Sequence, residues 1–80
     1  MVAMAATKPR TFSLVVVRDG DGYSVEVPAL PGCFSQGRTV EEAVEHAREA
    51  VRLHVRAMEA DGEPVPDEAE HQPYLTVVSV

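Results

Sequence analysis

The stretch YSVEVPALPGCFSQGRTVEEA, residues 23–43, decides the fold of this chain. Apolar and polar residues alternate over 23–27, which predicts a strand with one apolar face and one polar face. The chain is then forced round a corner by three residues that interrupt regular structure: Pro28, Pro31 and Gly32. A second short strand is predicted over 33–36, and Gly37 ends it.

A capping box after this strand predicts a long helix. Thr39 is followed three residues later by Glu42, so the helix is expected to run from Val40 to Asp61, with Gly62 as the residue that ends it. Its buried face is predicted from apolar residues at helical spacing: Val40, Ala43, Val44, Ala47, Val51, His54, Val55 and Met58.

The N-terminal part of the chain is predicted to be a flexible tail followed by a hairpin. Residues 1–10 (MVAMAATKPR) are expected to be a flexible N-terminal tail. Residues 11–18 predict a strand with two largely apolar faces, which is typical of a central strand. Asp-Gly-Asp-Gly at 19–22 predicts a tight turn back into the strand over 23–27.

The C-terminal part completes a β-β-β-α-β order. An acidic loop is expected over 66–73 and a final strand over 74–80. Because the helix joins the third and fourth strands, these should run parallel through a right-handed crossover, giving the strand order 3-2-1-4. The predicted fold is α+β with two layers: a four-stranded mixed sheet and one helix on one face, forming a single domain over 11–80.

Composition and charge limit the classes of function. The 80 residues carry a net charge of −6, which speaks against direct nucleic-acid binding and suits a basic protein partner, although the charge also serves solubility. The single cysteine, Cys33, excludes an internal disulfide and fits a reducing compartment. No apolar run is long enough to cross a membrane, so a cytoplasmic location is expected.

A family resemblance covers residues 12–80. The order Tyr-x-Val-x-x-Pro-x-Leu-Pro-Gly-Cys, then Ser-x-Gly and Thr-x-Glu-Glu-Ala, continues through a helix that ends at Gly62-Glu63-Pro64-Val65-Pro66. This order resembles the N-terminal domain of HicB-type antitoxins. The resemblance implies a truncated ribonuclease H-like sheet. It also implies a partner, a small basic RNA-cleaving toxin of the HicA kind with a double-stranded-RNA-binding-like fold, whose catalytic histidine the antitoxin covers.

The same resemblance bears on DNA binding. Antitoxins of this family usually add a C-terminal helix-turn-helix or ribbon-helix-helix domain. Because the chain ends at Val80, we expect a stand-alone domain that does not bind its operator directly.

Two candidate surfaces follow from these patterns. The partner surface is predicted at the corner and the acidic loop: Ala29, Leu30, Pro31, Gly32, Cys33, Phe34, Asp67, Glu68 and Glu70. Monomers rarely leave apolar sheet faces and edges open, so a dimer or tetramer is expected. Its interface is predicted on one sheet face and the last strand: Val15, Val17, Tyr74, Thr76, Val78 and Val80.

The sequence contains no pattern that requires catalysis. A metal-dependent nuclease needs several carboxylates on neighbouring strands, but 11–17 has none and only Glu26 lies within a predicted strand. The histidines lack the spacing of a helical metal site, and Cys33 has no neighbouring base. No enzyme activity, cofactor or metal is therefore expected. The functions that remain are toxin masking and, as an alternative, a stand-alone homo-oligomeric regulatory or ligand-sensing module without a toxin.

Overall fold

A computed structural model describes residues 10–67 and 78–79 and shows an α+β arrangement of three strands and one helix. The elements are β1 (Val15–Asp19), β2 (Gly22–Glu26), β3 (Phe34–Gly37) and α1 (Val40–Ala60). The sheet is antiparallel in the order β1-β2-β3, and α1 packs on one face of it. The predicted class and the predicted order of the first three strands are confirmed.

The first hairpin has a two-residue loop. Register pairs run from Val15 with Glu26 to Asp19 with Gly22, so the loop consists of Gly20 and Asp21. Gly20 has φ 61 and Asp21 does not have a positive φ, which is the pattern of a type II′ turn.

The first strand begins later than predicted, at Val15 instead of residue 11. Its partner explains the difference. β2 ends at Glu26, and the next residue, Val27, donates its N–H to the carbonyl of Cys33 (3.1 Å) and so pairs on the other side. Residues 11–14 therefore have no β2 residues opposite them, and Phe12 and Leu14 pack against the core instead.

Two successive turns build the corner between β2 and β3. The N–H of Leu30 donates to the carbonyl of Val27 (3.0 Å), and the N–H of Cys33 donates to the carbonyl of Leu30 (2.9 Å). The second turn requires Gly32, which has φ 85. Val27, Leu30 and Cys33 point inward and form one of the two buried clusters, so the corner is part of the core.

The passage from β3 into α1 is tight. A Cβ atom on Gly37 would lie 2.5 Å from the backbone nitrogen of Ala43, so only glycine allows the first helical turn to lie this close to the strand. The capping box is confirmed: Thr39 Oγ1 accepts from the N–H of Glu42 (3.0 Å), and Glu42 Oε1 accepts from the N–H of Arg38 (2.7 Å).

The helix ends in a Schellman motif, one residue before the predicted end. Gly62, at φ 72, donates its N–H to the carbonyl of Glu59 (3.1 Å), and Glu63 donates to the carbonyl of Met58 (2.9 Å). Two exposed ion pairs along the helix, Arg48–Glu45 and Arg52–Glu49, each contribute only about 0.2–0.5 kcal/mol. Packing of the apolar stripe, not surface charge, therefore holds α1 in place.

The core lies between α1 and the β2–β3 side of the sheet. Val25, Ala43 and Ala47 form the second buried cluster. The helix packs mainly on β3 and β2, which leaves the inner-facing Val16 of β1 37% exposed. Most of the predicted apolar stripe is buried or half-buried, but Val40 is exposed because it begins the helix beyond the last residue of the sheet.

The predicted position of β1 in the centre of the sheet is not observed among the described residues, where β1 lies at an edge. The strand expected beside it falls mostly outside them: residues 74–77 and 80 are not described. Val78 and Ser79 are described; neither belongs to a strand, and Val78 is 75% exposed. The strand prediction is therefore wrong at these two positions.

The N-terminal tail, predicted over 1–10, also lies outside the described residues except for Arg10. This residue forms an ion pair with Glu59 of the helix (3.1 Å). None of the described helices is both long enough and apolar enough to span a membrane.

Candidate protein-binding surfaces

The predicted partner-binding residues of the corner form a buried group and a surface group. Leu30 and Cys33 are buried, so they attach the corner to the core. The other four reach the surface; Ala29 is half-buried and the remaining three are exposed: Pro31, Gly32 and Phe34. Burial raises the pKa of the Cys33 thiol above its ordinary value through desolvation, which keeps it protonated and unreactive at neutral pH.

An apolar patch joins this corner to the helix. Phe34 on β3 is 63% exposed and Leu53 on α1 is 58% exposed, and both line one shallow depression. We define the corner surface as the residues that line this depression above buried Cys33: Gly32, Phe34, Ala50, Leu53 and His54. Large exposed apolar residues beside one depression are the kind of anchor that protein interfaces use.

Sequence reasoning missed Leu53. The signal was available, because Leu53 is a large apolar residue outside the apolar stripe of the helix. The sequence does not show that Leu53 and Phe34 line the same depression, because this depends on the crossing of α1 over β3.

The outer face of the sheet carries the first part of the predicted oligomer interface. The register places Val15 in one row with Glu26 and Phe34, and Val17 in the next row with Ser24 and Gln36. Val17 is exposed and Val15 is half-buried. Because Phe34 belongs to this face and also to the corner surface, the two surfaces are continuous.

A groove lies on the other side of the molecule, between the segment before β1 and the helix. Its apolar lining comes from Phe12, Leu14, Val44, Val51 and Val55. Three arginines stand in the same groove: Arg10, Arg48 and Arg52. Its lining includes the residues directly before β1, a strand whose outer edge has no partner among the described strands.

Asp67 has a role inside the domain. Its Oδ1 accepts a hydrogen bond from the backbone N–H of Thr11 (3.0 Å), and the residue is half-buried. This contact brings the chain that follows the helix back beside residue 11, at the start of the groove. The other acids predicted to contact a partner, Glu68 and Glu70, lie outside the described residues, as do Tyr74, Thr76 and Val80 of the predicted oligomer interface.

A polar junction connects the helix to β3. Nδ1 of His46 lies 2.7 Å from the carbonyl oxygen of Gln36, and since a carbonyl only accepts, Nδ1 must donate. A depression beside it is lined by Asp19, Tyr23, Arg38 and Glu42, among others. Over 10–67 and 78–79 no group of three or more His, Cys, Asp or Glu residues is placed to hold a metal ion.

The described residues therefore offer exposed apolar surfaces of the kind that bind proteins. The family model of the HicB-like antitoxin of bacterial toxin–antitoxin systems matches residues 12–76. The chain belongs to this family. The resemblance inferred from residues 23–43 and the helix after them is thereby confirmed.

Relatives of this HicB-like chain occur in archaea, bacteria and a phage. A UPF0150 protein of Thermoplasma acidophilum is 43% identical over 61 residues, which cover 74% of this chain and 88% of the relative. A UPF0150 protein of Synechocystis is 35% identical over 68 residues, covering 81% and 86%. An uncharacterized 14.9 kDa protein of Haemophilus phage HP1 is 38% identical over 64 residues, which cover 80% of this chain and only 48% of the phage protein.

Proposed function

We propose that this chain is a protein-binding antitoxin module that masks a small basic RNA-cleaving toxin of the HicA kind. The observation that carries the proposal is that the exposed residues Phe34 and Leu53 line one depression on a chain that belongs to the HicB-like family. Masking would take place by occlusion: the antitoxin covers the toxin's catalytic histidine and performs no reaction itself.

The corner surface would supply the anchor of the complex. Aromatic and large aliphatic side chains that enter a partner's pocket carry most of the binding energy in protein interfaces. The two hydrogen-bonded turns that end at Cys33 fix the backbone beside Phe34, which limits the entropy lost on binding. Leu30 and Cys33 would act indirectly, by holding the corner in place from the core.

Charge would add steering to this anchor. The chain carries a net charge of −6, and complementary charge mainly raises the rate of association with a basic partner. Glu68 and Glu70 remain proposed rim contacts. Asp67 is a weaker candidate, since its carboxylate already bonds to the N–H of Thr11. We propose that the complex forms in the cytoplasm, where the free thiol of Cys33 stays reduced.

Inhibition of RNA cleavage tests this proposal. Purified HicA-type toxin is mixed with increasing amounts of the chain, and the concentration that halves cleavage is measured. Phe34→Ser and Leu53→Ser are each expected to raise this concentration at least about tenfold, which corresponds to about 1.4 kcal/mol.

Val40→Ser provides the matched control, because Val40 is also an exposed apolar residue but lies away from the corner surface. It should inhibit like the wild type. Equal inhibition by all three variants would remove the corner surface from the interface, and no inhibition by the wild-type chain would contradict masking of that toxin.

A second candidate is a homo-oligomeric regulatory module without a toxin. The exposed Val17 on the outer face of the sheet favours it. Under this proposal the sheet follows the predicted order 3-2-1-4 of a truncated ribonuclease H-like fold, with residues 74–77 added beside β1. The contact of Asp67 with Thr11 supports the order, because it starts the C-terminal segment next to β1.

The outer sheet face alone is too small to hold a dimer together. Three strands about 4.8 Å apart with about five residues each present a face of about 250 Å². A stable interface buries about 800 Å² per partner. We therefore propose that the dimer or tetramer uses the terminal strand together with Val15 and Val17. Sedimentation of a chain lacking 76–80 tests this: a monomer or insoluble protein is expected, whereas an unchanged dimer would place the interface elsewhere.

A further inference from the structure

The two outer edges of the described sheet differ in what faces them. The outer edge of β1 meets no strand among residues 10–67 and 78–79. The outer edge of β3 is approached by a side chain of the helix, His46. Unpaired edges invite strands from other chains, and proteins block them in specific ways.

The pairing pattern determines which groups of β3 point outward. Val27 donates its N–H to the carbonyl of Cys33 (3.1 Å), and this contact continues the register of Glu26 with Phe34. Bonded and non-bonded pairs alternate along an antiparallel ladder, so Glu26 with Phe34 and Ser24 with Gln36 are non-bonded pairs. The backbone groups of Phe34 and Gln36 therefore face away from β2.

His46 occupies one of these outward positions. Its Nδ1 donates to the carbonyl oxygen of Gln36 at 2.7 Å, which is where the N–H of an added strand would bond. The imidazole is held there by two rigid features near the start of the helix. Gly37 lets the first helical turn lie against β3, and the Thr39 cap fixes the beginning of α1.

We propose that His46 is an edge guard that prevents β3 from pairing with β3 of a second copy of this chain. An incoming strand would have to displace the imidazole and break its bond to Gln36. In a symmetric β3–β3 pair both copies would lose that bond, so the guard acts twice. This role is independent of toxin masking, since His46 is not part of the corner surface.

The proton position on His46 gives a direct test in the intact protein. Two-bond ¹⁵N–¹H correlation spectra, recorded at a pH where the imidazole is neutral, identify the nitrogen that carries the proton. The proposal requires the Nδ1–H form at His46. An Nε2–H form would mean that no bond to Gln36 exists and would overturn the proposal.

Substitution tests the guarding effect itself. His46→Leu removes the donor, whereas His46→Asn keeps an N–H donor at a similar distance from the backbone. In sedimentation equilibrium, the association constant for dimerisation of the Leu variant is expected to be about tenfold or more above that of the wild type. The reason is that the His46–Gln36 bonds of the two copies no longer have to be broken. The Asn variant should behave like the wild type.

Amide exchange locates the new contact. The N–H groups of Phe34 and Gln36 should exchange more slowly in the Leu variant as its concentration rises. An unchanged dimerisation constant in a folded Leu variant would overturn the proposal, and so would a dimer that leaves these two amides unprotected. If the Leu variant does not fold, the proton position in the wild type still decides.

Discussion

Single residues in this chain differ in how much of their role the sequence reveals. The roles of Thr39 and Glu42 can be predicted from the sequence, because a capping box depends only on local spacing. Both of its hydrogen bonds are present. For Gly37, the sequence predicts only that it ends a strand. Its actual role is the close approach to Ala43, which depends on where the helix lies over the sheet. The bond of His46 to Gln36 depends on that same crossing, so local spacing does not reveal it.

Gly37→Ala is expected to destabilise the domain by about 1–3 kcal/mol, which is the usual cost of overpacking. The added methyl would lie 2.5 Å from backbone that cannot move without shifting the helix. Urea denaturation followed by circular dichroism measures the change. Gln36→Ala, at the neighbouring exposed position, is the control and should stay within about 0.5 kcal/mol of the wild type. Equal stability of Gly37→Ala and the wild type would show that the contact is not tight.

Burial of Cys33 predicts how stability depends on pH. Desolvation raises the pKa of its thiol in the folded state, so the unfolded chain releases the thiol proton at a lower pH than the folded chain does. The stabilisation is therefore complete below the ordinary thiol pKa, about 8.5, and is lost as pH rises through the folded-state value. The free energy of unfolding of the wild type should fall more steeply between pH 8 and 10 than that of Cys33→Ala. Parallel curves would contradict the burial effect.

Secondary-structure elements were predictable where their ends are encoded locally. The helix was placed to within one residue because the cap and the Schellman glycine mark both ends. The start of β1 was missed by four residues, because it depends on β2 turning away at Val27, a contact made through the corner. Edges and centres of the sheet likewise depend on partners distant in sequence, so alternation alone does not determine them.

The helix cap makes a measurable contribution. Thr39→Ala removes the acceptor for the N–H of Glu42 and should destabilise the domain by about 0.5–2 kcal/mol. Thr39→Ser keeps a hydroxyl in the same place and should recover most of this loss. Thermal and urea unfolding measure both variants. If Thr39→Ser were as unstable as Thr39→Ala, the methyl group would matter and the hydrogen bond would not.

Amide exchange at β1 tests the proposed fourth strand. The pairing pattern directs the N–H groups of Val16 and Arg18 away from β2, whereas that of Val17 bonds to Ser24. If residues 74–77 add to this edge, Val16 and Arg18 exchange as slowly as Val17. Slow exchange that depends on protein concentration would assign the added strand to a second copy. Fast exchange at Val16 and Arg18 beside a slow Val17 would leave the edge open and contradict the order 3-2-1-4.

At the scale of the whole molecule, the family and the layer architecture were predictable, and the proposed binding surface only in part. The corner from Ala29 to Phe34 was identified from its prolines and glycine, yet two of its members turn out to be core residues. Leu53 was missed because it joins Phe34 only through the packing of α1 on β3. Surfaces are assembled from separate elements, so sequence patterns reveal their parts more readily than their combination.

The central claim is that the corner surface is the contact made with a toxin. The most direct measurement is a titration of ¹⁵N-labelled chain with an unlabelled HicA-type toxin, following each backbone amide. The account predicts that the largest shifts and line broadening centre on residues 32–34 and 50–54. Changes confined to the groove beside β1, or no change at toxin excess, would contradict it.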